Sequence, residues 1–325
     1  MSGLEGKVLI TGGTGSLGRA TMLMAEQNKW DAEFIIFSRD ESKQSNLRKR
    51  FPNHKYFLGD VAKLSDISNV VRGVQPDVIL HYAAYKQVPS SMCNVSATIE
   101  TNVIGSQNVV EAALQYGVKK VVASSTDKAC GCGANAYGVS KSLMEHVFQD
   151  ANKWGITSFH LARYGNVVAS SGSVFPFFKE QIKAGGPITV TDRRMTRFWI
   201  SLKRAVELIL IALNQEPGVI VVPRAPAMSV WELAECMRKE YGNPHIPIID
   251  VGIRPGEKIH EGMVSEAESF HTLGTRNSPH FLIYPPLTET RSSEAPFSYT
   301  SDFPSGWLDW EGMKVLIKES KELGS

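Results

Sequence analysis

The chain has 325 residues, 42% hydrophobic and 21% charged, with a formal net charge of +2. This composition fits a soluble globular protein of one large domain or two intimate ones, and it excludes a strongly basic nucleic-acid surface. Four cysteines (Cys93, Cys130, Cys132, Cys236) are too few for a disulfide scaffold, and no apolar run reaches the roughly 18 residues a membrane span needs. Met1-Ser2-Gly3 runs almost directly into the first strand-like segment, leaving no room for a signal peptide, so a cytoplasmic protein is expected.

Short β-branched runs alternate with helical stretches through the first 160 residues. Strands are expected at Lys7-Val8-Leu9-Ile10, Phe34 to Phe37, Lys55 to Leu58, Val78-Ile79-Leu80, Lys120 to Ala123 and Ser158 to Leu161. Amphipathic segments lie between them, such as Ser106 to Tyr116 with apolar Val109, Val110, Ala113 and Leu114. This alternation predicts parallel pairing with right-handed crossovers, hence an α/β doubly wound sheet. After about residue 165 the pattern breaks into Gly/Ser/Pro-rich stretches, and Gly218 to Val222 reads as a strand returning to the sheet. The expected division is a dinucleotide-binding domain over 1–165, with a return segment near 195–225. Residues 166–325 are expected to form a smaller substrate-binding lobe, with Ser292 to Ser305 as an ordered surface arm.

Thr11-Gly12-Gly13-Thr14-Gly15-Ser16-Leu17-Gly18 follows the first strand and opens a helix. Glycines at 12, 15 and 18 permit a tight turn and the close approach of a pyrophosphate to a helix N-terminus. The second strand runs out into Ser38-Arg39, with Asp40 and Lys43 beyond, rather than into an acid for a ribose hydroxyl. Arg39 and Lys43 could neutralise a 2′-phosphate, which favours NADP; the bland alternative is a solvated helix start of mixed charge. Asp60 and Val61 after the third strand are placed to meet the adenine edge, and Ala83-Ala84 after the fourth let backbone approach the cofactor.

Tyr137 and Lys141, four apart on a helix, share one face, where the ammonium can hold the phenol's pKa down for use as a base. Alcohol oxidation by a nicotinamide cofactor follows. Thr126-Asp127-Lys128, at the end of the preceding strand, adds an acid and an amine and so suggests a second proton-transfer task, elimination. The alternative for Asp127 and Lys128 is a surface ion pair on a loop.

Together these motifs resemble the extended short-chain dehydrogenase/reductases, with their Rossmann-type sheet, and among them the 4,6-dehydratases acting on UDP-N-acetylglucosamine. The resemblance covers about residues 5 to 265 and includes Arg163-Tyr164-Gly165-Asn166-Val167, Arg194 to Ile200 and Arg254-Pro255-Gly256-Glu257-Lys258. It implies that Tyr137, held by Lys141, takes the 4-hydroxyl proton while NADP⁺ receives the C4 hydride. It further implies that Lys128, its pKa lowered by burial near a cation, is the base at C5, and that Asp127 protonates the leaving 6-hydroxyl. Thr126 would bond near O4, and the hydride would return to C6. By motif position Gly12, Thr14, Gly15, Ser16, Leu17, Gly18, Ser38, Arg39, Lys43, Asp60, Val61, Ala83, Ala84, Asn102, Tyr137 and Lys141 would hold the cofactor. Lys86, Asn166, Thr191, Arg254 and Glu257 would contact the nucleotide sugar.

Arg-Tyr-Gly-Asn-Val and a retained catalytic Tyr resemble the C5-inverting members, and a homo-oligomer is implied, with a hexamer as the candidate state. The sequence departs from the pattern at Gln87, where relatives often have His, and at Cys130-Gly131-Cys132-Gly133. Two thiols one residue apart with no nearby His do not make a metal site, so none is expected. His81, within a strand, reads as a core residue. The competing readings are a sugar 4-epimerase or reductase, which would not need Asp127 or Lys128, and a non-catalytic NADP-binding regulator, which would need none of the four proton-transfer residues.

Overall fold

The computed structural model describes every residue except 1, 2, 132, 134, 171, 243, 275–277, 287, 289–294 and 325. Cys132 and the first part of the expected arm therefore lie outside the described residues.

Six strands come from the first half of the chain: β1 (Gly6–Thr11), β2 (Ala32–Ser38), β3 (Lys55–Leu58), β4 (Val78–His81), β5 (Lys120–Thr126) and β6 (Ser158–Tyr164). Each expected strand is there, within a residue or a few at its ends. The large sheet runs β3-β2-β1-β4-β5-β6 in parallel and continues through Ile220–Pro223, which pairs parallel to β6 as the returning strand. His280–Ile283 and Thr272–Leu273 close that edge in antiparallel pairing.

Strand alternation sorts the core into two layers, because successive side chains point to opposite faces. Leu9, Ile35, Phe37, Ile79 and Val121 face one helical layer, including α3 (Leu64–Val74), α6 (Gly105–Tyr116) and α7 (Ala136–Ala151). Val8, Ile10, Phe34, Ile36, Leu80 and Val122 face the other, built from α1 (Ser16–Asn28), α2 (Glu41–Arg50) and α9 (Leu202–Ala212). A third apolar cluster, with Phe178, Trp199, Met228, Leu233 and Leu316, forms a separate core from residues after 166.

The chain leaves β1 toward β2 and β3 on one side, then returns to β4, β5 and β6 on the other. The C-terminal ends of β1 and β4 thus form the switch point where such sheets open a crevice.

Two buried histidines belong to this scaffold. His81 Nδ1 meets the Thr11 hydroxyl at 2.8 Å and its Nε2 meets the Ser106 hydroxyl at 3.0 Å. Neither ring nitrogen of His160 has a hydrogen-bond partner. Burial pushes His81 down to about 3 and His160 to about 4. Because each is depressed when folded, the unfolded chain binds more protons below the ordinary histidine range. The stability they allow is complete above about pH 6.5 and is lost as pH falls toward 4 and 3, on the order of 5 kcal/mol for His81 and about 3 kcal/mol for His160. Urea midpoints measured from pH 7 to pH 4 should fall, and His160→Gln should flatten part of that slope.

Candidate active site

A cleft of about 1420 Å³ runs from the β1–α1 turn across the sheet ends to the second core. That is larger than one drug-sized ligand needs and leaves room for two ligands side by side.

At one end the Gly-rich turn makes a cradle that side chains would fill. Gly12 has φ +66°, and a Cβ there would lie 2.7 Å from the Ala83 backbone nitrogen. A Cβ on Gly18 would lie 2.3 Å from the Gly13 carbonyl oxygen. The turn closes through Gly15 N–H to the Gly12 carbonyl at 2.9 Å, and α1 begins with neither a side-chain cap nor an acid in its first turn. Its free N–H groups and dipole are therefore available to an anion. Thr14, Ser16 and Leu17 line this end too. These residues fit the pyrophosphate of a nicotinamide dinucleotide.

Ser38, Arg39, Lys43, Asp60 and Val61 line the neighbouring wall. Arg39 Nη1 pairs with Asp60 Oδ2 at 3.3 Å and Lys43 Nζ with Asp40 Oδ2 at 2.8 Å, with 56% and 68% of the two basic side chains exposed. Exposed pairs of this kind are worth little and re-partner readily. Asp40 also caps α2 through the Lys43 N–H at 2.9 Å.

Ala83 and Ala84 line the middle of the cleft, but Asn102 does not line it; its neighbour Thr101 does. Asn102 lies in a π-helical turn and acts as a latch. Its Oδ1 accepts from Tyr85 N at 2.7 Å, and its Nδ2 donates to the Tyr85 carbonyl at 3.0 Å and to Ser140 Oγ at 2.9 Å. It thus ties the loop after β4 to α7, beside the cofactor wall but not in it.

The reactive centre forms where β5 ends. Thr126 Oγ1 and Lys128 Nζ both donate to Asp127 Oδ1, each at 2.9 Å. Lys128 Nζ also reaches Asn166 Oδ1 and Glu261 Oε1, each at 3.4 Å. Asp127 is fully buried below Thr126 and Lys128, and its Oδ2 has no partner. The start of α7 packs directly on this turn: a Cβ on Gly138 would lie 2.3 Å from the Lys128 carbonyl oxygen. Asn135 caps that helix through Gly138 N–H at 2.7 Å and reaches the Gly256 carbonyl at 2.8 Å, joining the Arg254–Lys258 loop to it.

Two electrostatic expectations need correction. Burial lowers the proton affinity of Lys128, and so does the Arg197 cation, but Asp127 and Glu261 outweigh them; the net shift is upward. Lys128 is an ammonium here, not a free amine. Burial likewise raises Tyr137, and the groups drawing it back down are Lys128 and a hydrogen bond with the Thr126 side chain, while Asp127 adds to the rise. Lys141, lowered to about 8 by burial against the pull of Glu145, directs its Nζ to the Met144 sulfur at 3.0 Å. Thus the cation that draws the phenol down, against burial, is Lys128 rather than Lys141. The four-residue spacing on α7 brought Tyr137 and Lys141 to the same cleft, but could not reveal a second cation arriving from the turn after β5.

Lys86, Asn166, Thr191, Arg254 and Glu257 line the far half of the cleft. Asn166 belongs to the reactive centre through Lys128, not to its periphery. Thr191 Oγ1 lies 3.3 Å from the Met195 sulfur. Arg254 and Glu257 face each other at 3.9 Å, and Glu257 Oε2 is buried without a partner. Glu261, Arg197 and Tyr164 also line the cleft and were not expected. Motif spacing gave no reason to connect Glu261 with Lys128, because segments far apart in the chain bring them together. At the unusual Cys130-Gly131 turn, Lys258 Nζ bonds both carbonyls, at 3.0 and 2.8 Å, and burial pushes the Cys130 thiol up.

A family profile described as polysaccharide biosynthesis protein matches residues 8–281. The chain is 40% identical over 336 residues to a UDP-N-acetylglucosamine 4,6-dehydratase (inverting) of Campylobacter jejuni, covering 97% of this chain and 98% of that protein. It is also 40% identical over 270 residues to a UDP-glucose 4-epimerase of Rickettsia akari, covering 80% and 78%. Among solved structures, Pen from Bacillus thuringiensis superposes with a TM-score of 0.89 at 32% identity over 99% of both chains. DesIV, a dTDP-glucose 4,6-dehydratase from Streptomyces venezuelae with NAD bound, shares the fold at a TM-score of 0.69 and 22% identity, covering 78% of this chain and 86% of that one. With a Rossmann-type sheet beneath its cleft, the protein belongs to the polysaccharide biosynthesis protein family.

Proposed function

We propose that the protein is a UDP-N-acetylglucosamine 4,6-dehydratase that inverts C5. The observation carrying this reading is the 2.9 Å Lys128–Asp127 pair, in which Lys128 lines the same cleft as Tyr137 and Asp127 lies buried behind it. An epimerase or reductase would use Tyr137 and Lys141 without Asp127 or Lys128, and a regulator needs no acid–amine pair, so neither accounts for an ion pair held there at the cost of its hydration.

A nicotinamide bound in the cleft would supply reversible hydride acceptance, from C4 and back to C6. Tyr137 accepts the 4-hydroxyl proton, helped by the Lys128 charge. The elimination then needs Lys128 as an amine and Asp127 as an acid. That state holds the same number of protons as the observed ion pair. One proton passing from Nζ to Oδ1 along the 2.9 Å contact creates it, and water exclusion by a bound sugar favours the uncharged pair. Lys128 then takes the C5 proton, the C–H electrons form the C5–C6 double bond, and the 6-hydroxyl leaves as water with the proton of Asp127. Afterwards the pair is again carboxylate and ammonium. Hydride addition at C6 is completed by a solvent-derived proton at C5, delivered to the face opposite the one deprotonated, and Tyr137 returns its proton to solvent.

Proton NMR with UDP-N-acetylglucosamine in D₂O tests this: a 6-methyl signal with deuterium at C5 is expected, with ring couplings of the inverted product. A 4-epimer without a methyl signal would favour the epimerase reading instead.

We propose NADP as the cofactor; Arg39 and Lys43 on the cleft wall could neutralise a 2′-phosphate, and their present partners, Asp60 and Asp40, are only partly buried. Arg39→Ala should weaken NADP⁺ binding about tenfold or more with little change for NAD⁺, read by titration calorimetry. Exposed Met92, Val95, Ile99, Val139 and Leu143 on adjoining helices support a homo-oligomer, up to a hexamer, which sedimentation velocity would size. No helix among the described residues is long and apolar enough to cross a membrane, and the described cysteines are unpaired, which supports a cytoplasmic setting.

A further inference from the structure

Lys128 has a second carboxylate beside it that the scheme above leaves without a task. Glu261 is only 3% exposed, lines the cleft, and holds Oε1 3.4 Å from Lys128 Nζ and 3.8 Å from Arg197 Nε. Its Oε2 has no hydrogen-bond partner.

Backbone contacts pin both charges. Glu261 N donates to Ser301 Oγ at 2.9 Å, and its carbonyl accepts from Ser301 N at 2.8 Å. The Ser301 hydroxyl meets that of Thr196 at 2.7 Å, which in turn meets His260 Nδ1 at 2.8 Å. Arg197 donates to the carbonyls of Thr196, Ile259 and Lys258 at 2.7, 3.0 and 3.0 Å. The groups facing Lys128 are therefore Asp127 from its own turn, Glu261 from the segment held by Ser301, Arg197 from Thr196–Ile200, the Tyr137 phenol from α7 and the neutral amide of Asn166.

The four charges of Asp127, Lys128, Glu261 and Arg197 sum to zero. When the proton moves from Lys128 to Asp127, Glu261 and Arg197 remain as a balanced pair. Without Glu261, Arg197 would be left as an uncompensated buried cation beside the amine.

We propose that Glu261 is a positioning residue for the elimination, acting through Lys128 and balanced by Arg197 to govern when Lys128 gives up its proton. This rests on the dehydratase reading. Because productive and resting forms of the pair hold one proton between them, the rate should be bell-shaped in pH, falling on the alkaline side as Lys128 loses that proton. Removing the Glu261 charge makes the ammonium easier to deprotonate, so that limb moves to lower pH.

The experiment measures C5 deuterium incorporation into UDP-N-acetylglucosamine against pH, using holoenzyme with Glu261, Glu261→Gln or Glu261→Asp. In Glu261→Gln the alkaline limb should move about 1–3 pH units lower, with KM changed less than about twofold. Glu261→Asp, which keeps the charge, should hold the limb near its original place. A Gln variant slowed equally at every pH, with the limb unmoved, would overturn the proposal, as would a limb displaced as far in Asp as in Gln. Wild-type protein that exchanges no C5 hydrogen on any nucleotide sugar would instead sink the dehydratase reading, and this inference with it.

Discussion

Replacing Lys128 with alanine is expected to abolish formation of the 6-methyl product, lowering its rate by about 10²–10⁴-fold, the usual contribution of a positioned proton-transfer group. The substitution removes the C5 base and also the cation that draws the Tyr137 phenol down. Oxidation at C4 should therefore slow as well, but survive, because Thr126 still bonds the phenol. A single-turnover comparison separates the two steps: near-UV absorbance of reduced nicotinamide should still rise while no C5 deuterium enters the sugar. Loss of both signals in a folded variant would mean that Lys128 serves the oxidation first. Unchanged 6-methyl formation would remove it from the mechanism altogether.

Replacing Arg163 with methionine should destabilise the protein by about 3–5 kcal/mol, because it leaves the buried Glu145 carboxylate and the half-buried Glu268 carboxylate without their counter-charge. Arg163, 1% exposed, grips Glu145 on α7 through two bonds of 3.0 and 2.7 Å and Glu268 through one of 2.7 Å, and also reaches the Met263 carbonyl at 2.9 Å. It thereby joins the helix carrying Tyr137 and Lys141 to the segment after residue 260. Burial works against the Glu268 charge, but Arg163 and the Ser265 bonds outweigh it and hold the carboxyl down to about 2. A depressed acid stabilises above its unfolded pKa, so this part of the stability is present above about pH 4.5 and is lost as pH falls toward 2. Denaturant midpoints for Arg163→Met should accordingly be low at pH 7 and depend less on pH in that window than those of the parent. A drop under about 1 kcal/mol would show that the network is incidental.

The one-dimensional sequence was sufficient for the sheet. Runs such as Phe34 to Phe37 and Lys120 to Ala123 have few other uses in a chain of this composition, and their spacing with amphipathic helices demands parallel pairing. It was also sufficient for the glycine cradle at Gly12, since few residues tolerate both φ +66° and a neighbouring backbone at 2.7 Å. Tyr137, Lys141, Thr126 and Lys128 could be named because local geometry on one helix and one strand end puts them on one side of the sheet.

What the sequence could not supply was the sign of the electrostatics. Whether Lys128 is an amine or an ammonium depends on Glu261 and Arg197, which reach it from distant parts of the chain, and whether Asn102 touches a cofactor or latches a loop depends on Tyr85 and Ser140. Local patterns report backbone preference and side-chain direction, which act over a few residues. Proton affinity is a sum of Coulomb and desolvation effects over whatever lies within several ångströms, and only the tertiary structure decides that company.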